Sequence, residues 1–247
     1  LYWDQNTKMP RRGSFWRGEQ LSLLSRLLHS RQSSPLYENL IKEAEDEYKL
    51  SLLNGDLSEL EVEERKINLN LLEQDLARKK KIDPDLISEL SRAKSQGYEL
   101  WQEAKDQNNF KRFEPALSKL ISLRQEQSRQ LSEPRSTWET LAQPFEPDIN
   151  CRRMKELFAP LRDILPALLE DVRGLNRSVN SEWDLDENTQ ERLCISLLNE
   201  WGRDESITAL SRSPHPFSTT LGPKDFRITT RIVPGQPLSS FLATAHE

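Results

Sequence analysis

Residues 83–104 read DPDLISELSRAKSQGYELWQEA. Asp83-Pro84 supplies a helix cap with proline at the first helical position, where its missing N–H costs nothing. Beyond it Leu86, Leu90, Ala93, Gly97, Leu100 and Ala104 recur in steps of four and three, which places them on one face of a long helix. Gly97 sits inside that seam, and a residue without a Cβ there predicts close approach by a partner helix. Phe110, Phe113, Leu117 and Leu120 continue the pattern after Asn108-Asn109. The economical geometry is a pair of long antiparallel helices packed along the seam, over about residues 58–132. The same stripe also suits a dimerising coiled coil, so both readings stand.

The flanking sequence is helical too. Leu21, Leu24, Leu27 and Leu28 have helical spacing after Gly18. Ser34-Pro35 opens a helix to about Leu53, which Asn54-Gly55-Asp56 ends. Ser58 and Glu61 have capping-box spacing and begin a charged helix to about Lys81. Ser136 and Glu139 open a short helix among Pro134, Pro144 and Pro147. A helix over Cys151–Arg173 carries Met154, Leu157, Leu161 and Leu168 inward, with a kink or break expected at Pro160 and Pro166. Another helix covers Glu187–Trp201.

Composition agrees with a mainly α protein. The 247 residues include only 8 Gly, and 30% of them are charged. Lys and Arg number 35 against 40 Asp and Glu, a formal net charge of -5. That balance gives no bulk electrostatic reason to bind nucleic acid or an anionic membrane. No apolar run approaches the roughly 20 residues that span a bilayer, and no basic segment followed by an apolar one marks a signal peptide. Cys151 and Cys194 lack metal or disulfide spacing and read as buried thiols of a reducing compartment. The expected location is cytoplasmic.

The character changes after Ser211. Phe226, Ile228, Thr230 and Ile232 alternate with Arg227, Thr229, Arg231 and Val233, a strand period. Leu221-Gly222-Pro223-Lys224 turns between this strand and one near Ser218–Thr220. A small β-hairpin near residues 215–233 is therefore expected, lining a groove. Asp225, Arg227 and Thr229 step by two and share a face. That face either aligns an extended peptide or ties the strand to a neighbouring helix, with Phe226 and Ile228 backing onto the core. A helical region 1–210 and a β-hairpin-plus-helix region 211–247 form parts of one larger domain.

The chain closes on FLATAHE, residues 241–247. In an H-E-x-x-H helix two histidines four apart offer imidazoles to one zinc, and the intervening glutamate serves as general base. A lone His-Glu pair is also a common dipeptide. His29, on a leucine-rich helix, reads as a core or surface residue rather than a ligand. His215 lies between two prolines in a loop; His215-Pro216-Phe217 either shapes a groove floor or forms a buried turn with an aromatic anchor.

Four segments together carry a resemblance. WDQNTKMP at 3–10, PHPF at 214–217, DFRITTR at 225–231 and the final HE follow the order and spacing of the thermostable carboxypeptidase Taq family. Trp3, Asp4, Thr7 and Pro10 match its W-D-x-x-T-x-x-P segment. His215, Pro216 and Phe217 match H-P-F, and Asp225, Arg227 and Thr229 match D-x-R-x-T. His246 and Glu247 match the first two motif residues of its zinc helix.

The chain is thus similar to roughly the N-terminal half of a family member. The second histidine and a later glutamate ligand have no counterpart in it. The resemblance implies a largely α-helical zinc metallocarboxypeptidase, cobalt able to replace zinc, that releases single C-terminal residues from peptides as a homodimer. It makes His246 a metal ligand and Glu247 the general base, with His215, Phe217, Asp225, Arg227 and Thr229 along the substrate groove. A chain with one of three ligands is expected to be inactive and to hold no catalytic zinc. The alternative is a non-catalytic helical scaffold or adaptor with a coiled-coil surface.

Overall fold

The structure, a computed structural model, describes residues 1–175 and 185–247. It divides into two compact units. One is Arg11–Leu157, the other Leu1–Pro10 together with Phe158–Glu247.

The first unit is helical: α2 (Ser14–Gln32), α3 (Pro35–Asn54), α4 (Glu59–Lys80), α5 (Pro84–Asp106), α6 (Phe110–Leu131), α7 (Thr137–Ala142) and the start of α8 (Cys151–Gly174). The caps follow the sequence. Ser34 accepts from the Tyr37 N–H, Asp83 from that of Asp85, and both Ser58–Glu61 and Ser136–Glu139 form reciprocal capping boxes. Gly55 ends α3 at φ 71°, a left-handed conformation that suits glycine. Glu139 also accepts the Cys151 N–H at 2.7 Å. That bond, with those from Ser136, holds its carboxyl down at about 2 and ties α7 to the start of α8.

Helices α5 and α6 are the antiparallel pair. Asp83 N–H bonds to Gln130, Lys119 pairs with Glu89 and Arg112 with Glu103, so numbering rises on one helix as it falls on the other. Leu86, Leu90 and Leu123 form the buried core between them, flanked by Ile82 and Ala93. A Cβ on Gly97 would lie 3.3 Å from Leu120 Cδ1 and 4.0 Å from the Ala116 methyl. The seam is therefore spent inside the chain, which removes the feature that favoured an intermolecular coiled coil.

This contact makes a graded prediction. Gly97→Ala gains about 1 kcal/mol of helix propensity and displaces only the tip of a leucine, so its unfolding free energy should stay within about 1 kcal/mol of the parent. Gly97→Leu overpacks the seam and should cost about 1–3 kcal/mol or more in urea unfolding. Equal midpoints for Gly97→Leu and the parent would show that the two helices do not touch there.

The opposite face of α5 meets α2 through small and polar side chains. A Cβ on Gly18 would lie 3.6 Å from Arg92 Cγ; Ser25 Oγ is 3.0 Å from Ser91 Oγ, and His29 Nε2 2.9 Å from the Ile82 carbonyl. Arg92 forks onto Glu19 at 2.5 and 3.0 Å, and Arg26 meets Asp85 at 2.8 Å. Gly18, Ser22 and His29 are buried, whereas Leu24, Leu27 and Leu28 are more than half exposed. The leucine stripe of α2 is thus not the face that packs on α5.

The α8 expectation needs a correction. The helix runs unbroken through Pro160 and Pro166, and none of its residues is buried. Leu157, Leu161 and Leu168, expected inward, are exposed. Amphipathic spacing identifies the face that seeks cover, but it does not place that cover within these residues. Cys194 is fully buried and Cys151 half-buried, and both are free thiols. No helix among the described residues is long and apolar enough to cross a membrane.

The second unit contains α1 (Tyr2–Thr7), most of α8, α9 (Glu187–Glu200), strands β1 (Thr208–Arg212), β2 (Ser218–Gly222) and β3 (Asp225–Thr230), and α10 (Pro237–His246). The hairpin is present: β2 and β3 pair antiparallel around the Gly222–Lys224 turn. Its strand stops at Thr230 rather than Val233. Strand β1, absent from the sequence reading, pairs parallel with β3 from Thr208↔Phe226 to Arg212↔Thr230, so β3 is central in the order β1-β3-β2.

Candidate active site

Strand β3 carries the site. Asp225 and Arg227, two apart on one face, form a two-pronged ion pair at 2.7 and 2.8 Å. Hydrogen bonding from the guanidinium holds the Asp225 carboxyl below its ordinary range and raises Arg227. The Arg227 guanidinium also lies over the Trp3 ring, 5.5 Å from its centroid. Trp3 in turn meets the Phe217 ring edge-on at 5.6 Å, and Tyr2 meets it at 5.2 Å. Residues more than 200 positions apart in sequence thus share one aromatic–cation cluster.

Thr229, expected beside Asp225 and Arg227 on a groove face, is instead fully buried. Its Oγ1 accepts from the Phe217 N–H at 2.8 Å and donates to the Phe217 carbonyl at 3.0 Å. Ser213 Oγ lies 2.8 Å from the same hydroxyl and 2.7 Å from the His215 carbonyl, so its one proton serves either. Thr229 therefore fixes the backbone of 213–217. His215 itself is exposed, while Phe217 is half-buried. The opposite side of the strand also departs from expectation, since Phe226 is 38% exposed rather than packed on a core.

His246 and Glu247 end α10, the first exposed and the second half-buried. The helix is continuous to that point, and the Glu247 N–H still bonds to the Ala243 carbonyl at 3.3 Å. What holds α10 in place is polar. Thr230 Oγ1 donates to the Ser240 carbonyl at 3.1 Å, and Ser240 Oγ to Gln190 Oε1 at 2.9 Å. Gln190 Nε2 reaches the Leu185 and Val233 carbonyls at 3.0 and 3.2 Å. Thr230, Ser240, Thr244 and Gln190 are each at most 1% exposed. The buried stripe of α10 is Pro237, Ser240 and Thr244, whereas Leu238 and Leu242 are exposed.

Three separated segments thus converge on one strand, among them the helix ending in His-Glu, which that strand anchors. The sequence profile of the Carboxypeptidase Taq (M32) metallopeptidase family matches residues 1–247. The chain belongs to this family. It is 28% identical over 257 residues to thermostable carboxypeptidase 1 of Thermus thermophilus, aligning 99% of this chain with 49% of that protein. Carboxypeptidase 1 of Bacillus subtilis is 26% identical over 250 residues, covering 100% of this chain and 48% of its own. Among solved structures, BsuCP superposes with a TM-score of 0.85 at 27% identity, again over 100% of this chain and 48% of that one. The chain spans about half the length of the relatives it matches.

Within an M32 metallopeptidase fold a metal is implied, and the donor set tests whether these residues can hold it. Among the described residues, no group of three or more His, Cys, Asp and Glu side chains is placed to bind a metal ion. His246 and Glu247 offer one imidazole and one carboxylate, short of the three protein ligands of a catalytic zinc. The described residues alone do not fit the ion.

The sequence did not reveal Gln190, Ser213, Thr230 or Ser240. The available signal was a pair of small hydroxyl residues, Ser240 and Thr244, one turn apart in a largely apolar helix. Such residues commonly sit where a helix meets a polar anchor.

Proposed function

We propose that the complete protein to which these residues belong releases single C-terminal residues from peptides by hydrolysis. The observation that supports this is the anchoring of the His246–Glu247 helix to β3 through Thr230 and Ser240. The same strand holds the Asp225–Arg227 pair. In this reading Glu247 takes the proton of the attacking water and returns it to the leaving amine. His246 contributes one imidazole to a divalent metal, zinc with cobalt as a substitute, whose other ligands the described residues do not supply.

Arg227 and Asp225 present fixed charges for aligning an extended peptide, while Phe217 and His215 shape the adjoining surface. Thr229 acts on substrate only through the backbone it orders. The complete enzyme is a cytoplasmic homodimer in this proposal, with peptides as its substrates.

For the 247-residue chain by itself the proposal is inactivity. Dialysed against a weak chelator, it should retain no stoichiometric zinc and release no residue from an N-blocked dipeptide. One imidazole is too few for tight catalytic zinc. Zinc held at one equivalent after dialysis would overturn the inactivity proposal. A complete protein that fails to cleave N-blocked peptides with metal present would overturn the carboxypeptidase proposal.

A further inference from the structure

The helical unit carries an open cavity of about 390 Å³ between α2, α4, α5, α6 and α7, at the small end of ligand-pocket sizes. Most of its cations are spent. Arg78 pairs with Glu133 at 2.6 Å and donates to the Thr140 carbonyl at 2.8 Å, Lys79 pairs with Asp75, and the His29 ring engages the Ile82 carbonyl. Arg124 differs. It is half-buried in the cavity wall, its hydrogen bond runs to the neutral Gln127 Oε1 at 2.6 Å, and among the described residues no carboxylate pairs with it. The like-charged Lys94 is near enough to repel it, and burial lowers the pKa of both cations.

A half-buried guanidinium without a counter-charge loses part of its hydration uncompensated, and a two-oxygen anion is its natural partner. Leu28, Ile87 and Leu131 supply apolar wall beside it. We propose that this cavity binds a small amphipathic monocarboxylate. Its carboxylate sits on Arg124 with the Gln127 amide beside it, and its apolar part rests on Leu28, Ile87 and Leu131. One unpaired cation in the wall calls for one negative charge. Lys94 does not line the cavity, and a phosphate dianion has no apolar part to rest on Leu28, Ile87 and Leu131. The proposal does not rest on the peptidase reading, because none of its residues belongs to that site.

The test titrates the chain with hexanoate, acetate, hexylamine and inorganic phosphate by calorimetry. Hexanoate should bind saturably at one site in the millimolar range or tighter, with acetate weaker and hexylamine and phosphate absent. Arg124→Met keeps the volume and removes the charge, so it should weaken hexanoate by about 10-fold or more. It should not lower the melting temperature, because the charge it removes has no carboxylate partner. Leu28→Ser, on an exposed part of α2, should weaken hexanoate while leaving acetate unchanged. Equal hexanoate affinity in Arg124→Met, hexylamine binding as well as hexanoate, or no saturable hexanoate binding would each overturn the proposal. So would a large drop in melting temperature for Arg124→Met, which would mean the guanidinium serves the fold rather than a ligand.

Discussion

Glu247→Gln, placed in a protein carrying the complete family fold, is expected to lower kcat for C-terminal residue release by about 10²–10⁴-fold, the usual worth of a positioned general base. Metal content should be unchanged, since the proposed role of Glu247 is proton transfer and not ligation. Glutamine preserves the size and leaves the half-buried setting of residue 247 intact, so the loss would report chemistry and not packing. The two readouts separate the possibilities. Normal turnover would remove Glu247 from the mechanism, and loss of metal together with activity would make it a ligand.

Gln190→Leu is expected to have the largest effect on stability. Gln190 is 1% exposed and satisfies three polar groups at once: the Leu185 and Val233 carbonyls and the Ser240 hydroxyl. Leucine keeps the bulk but strands the Leu185 carbonyl and the Ser240 hydroxyl, while the Val233 carbonyl keeps the Gln236 N–H at 3.1 Å. At roughly 1–3 kcal/mol for each group left without a partner, the loss should be about 2 kcal/mol or more in urea unfolding. Amide exchange along α10 should accelerate in the same variant. Ser240→Ala strands only the Gln190 oxygen and should cost about 1–2 kcal/mol. The double variant should cost less than the sum, because the two changes remove the same bond. A Gln190→Leu protein within about 0.5 kcal/mol of the parent would show that this network does not anchor α10.

Much of the architecture was legible because several independent signals coincided. The caps at Ser34, Ser58, Asp83 and Ser136 and the α5 seam all lie where spacing placed them. The segments around Trp3, Phe217 and Arg227 do meet. Periodicity placed Leu157, Leu161 and Leu168 of α8 inward, where they are exposed, and it does not locate packed faces made of small residues. In α2 the packed residues are Gly18, Ser22 and His29, and in α10 Pro237, Ser240 and Thr244, while leucines on both helices stay exposed. Hydrophobic spacing ranks faces by apolarity, but backbones approach closest where side chains are small. A buried hydroxyl is tolerated there once its proton finds a carbonyl. Thr229 was misplaced for a related reason: alternation tells which residues share a face, not whether water reaches it.

The order β1-β3-β2 carries a consequence for assembly in time. The strand synthesised last is the one that fills the middle. Until residues 225–230 exist, β1 and β2 have no common partner, and each presents bare backbone on the side that β3 will occupy. The sheet cannot grow strand by strand from one border; it closes when the third strand slots in. Thr230, at the end of that strand, then receives the helix that follows. A nascent chain halted before residue 225 should therefore expose a sticky, unclosed pair of strands to chaperones and proteases, and one lengthened past residue 247 should not.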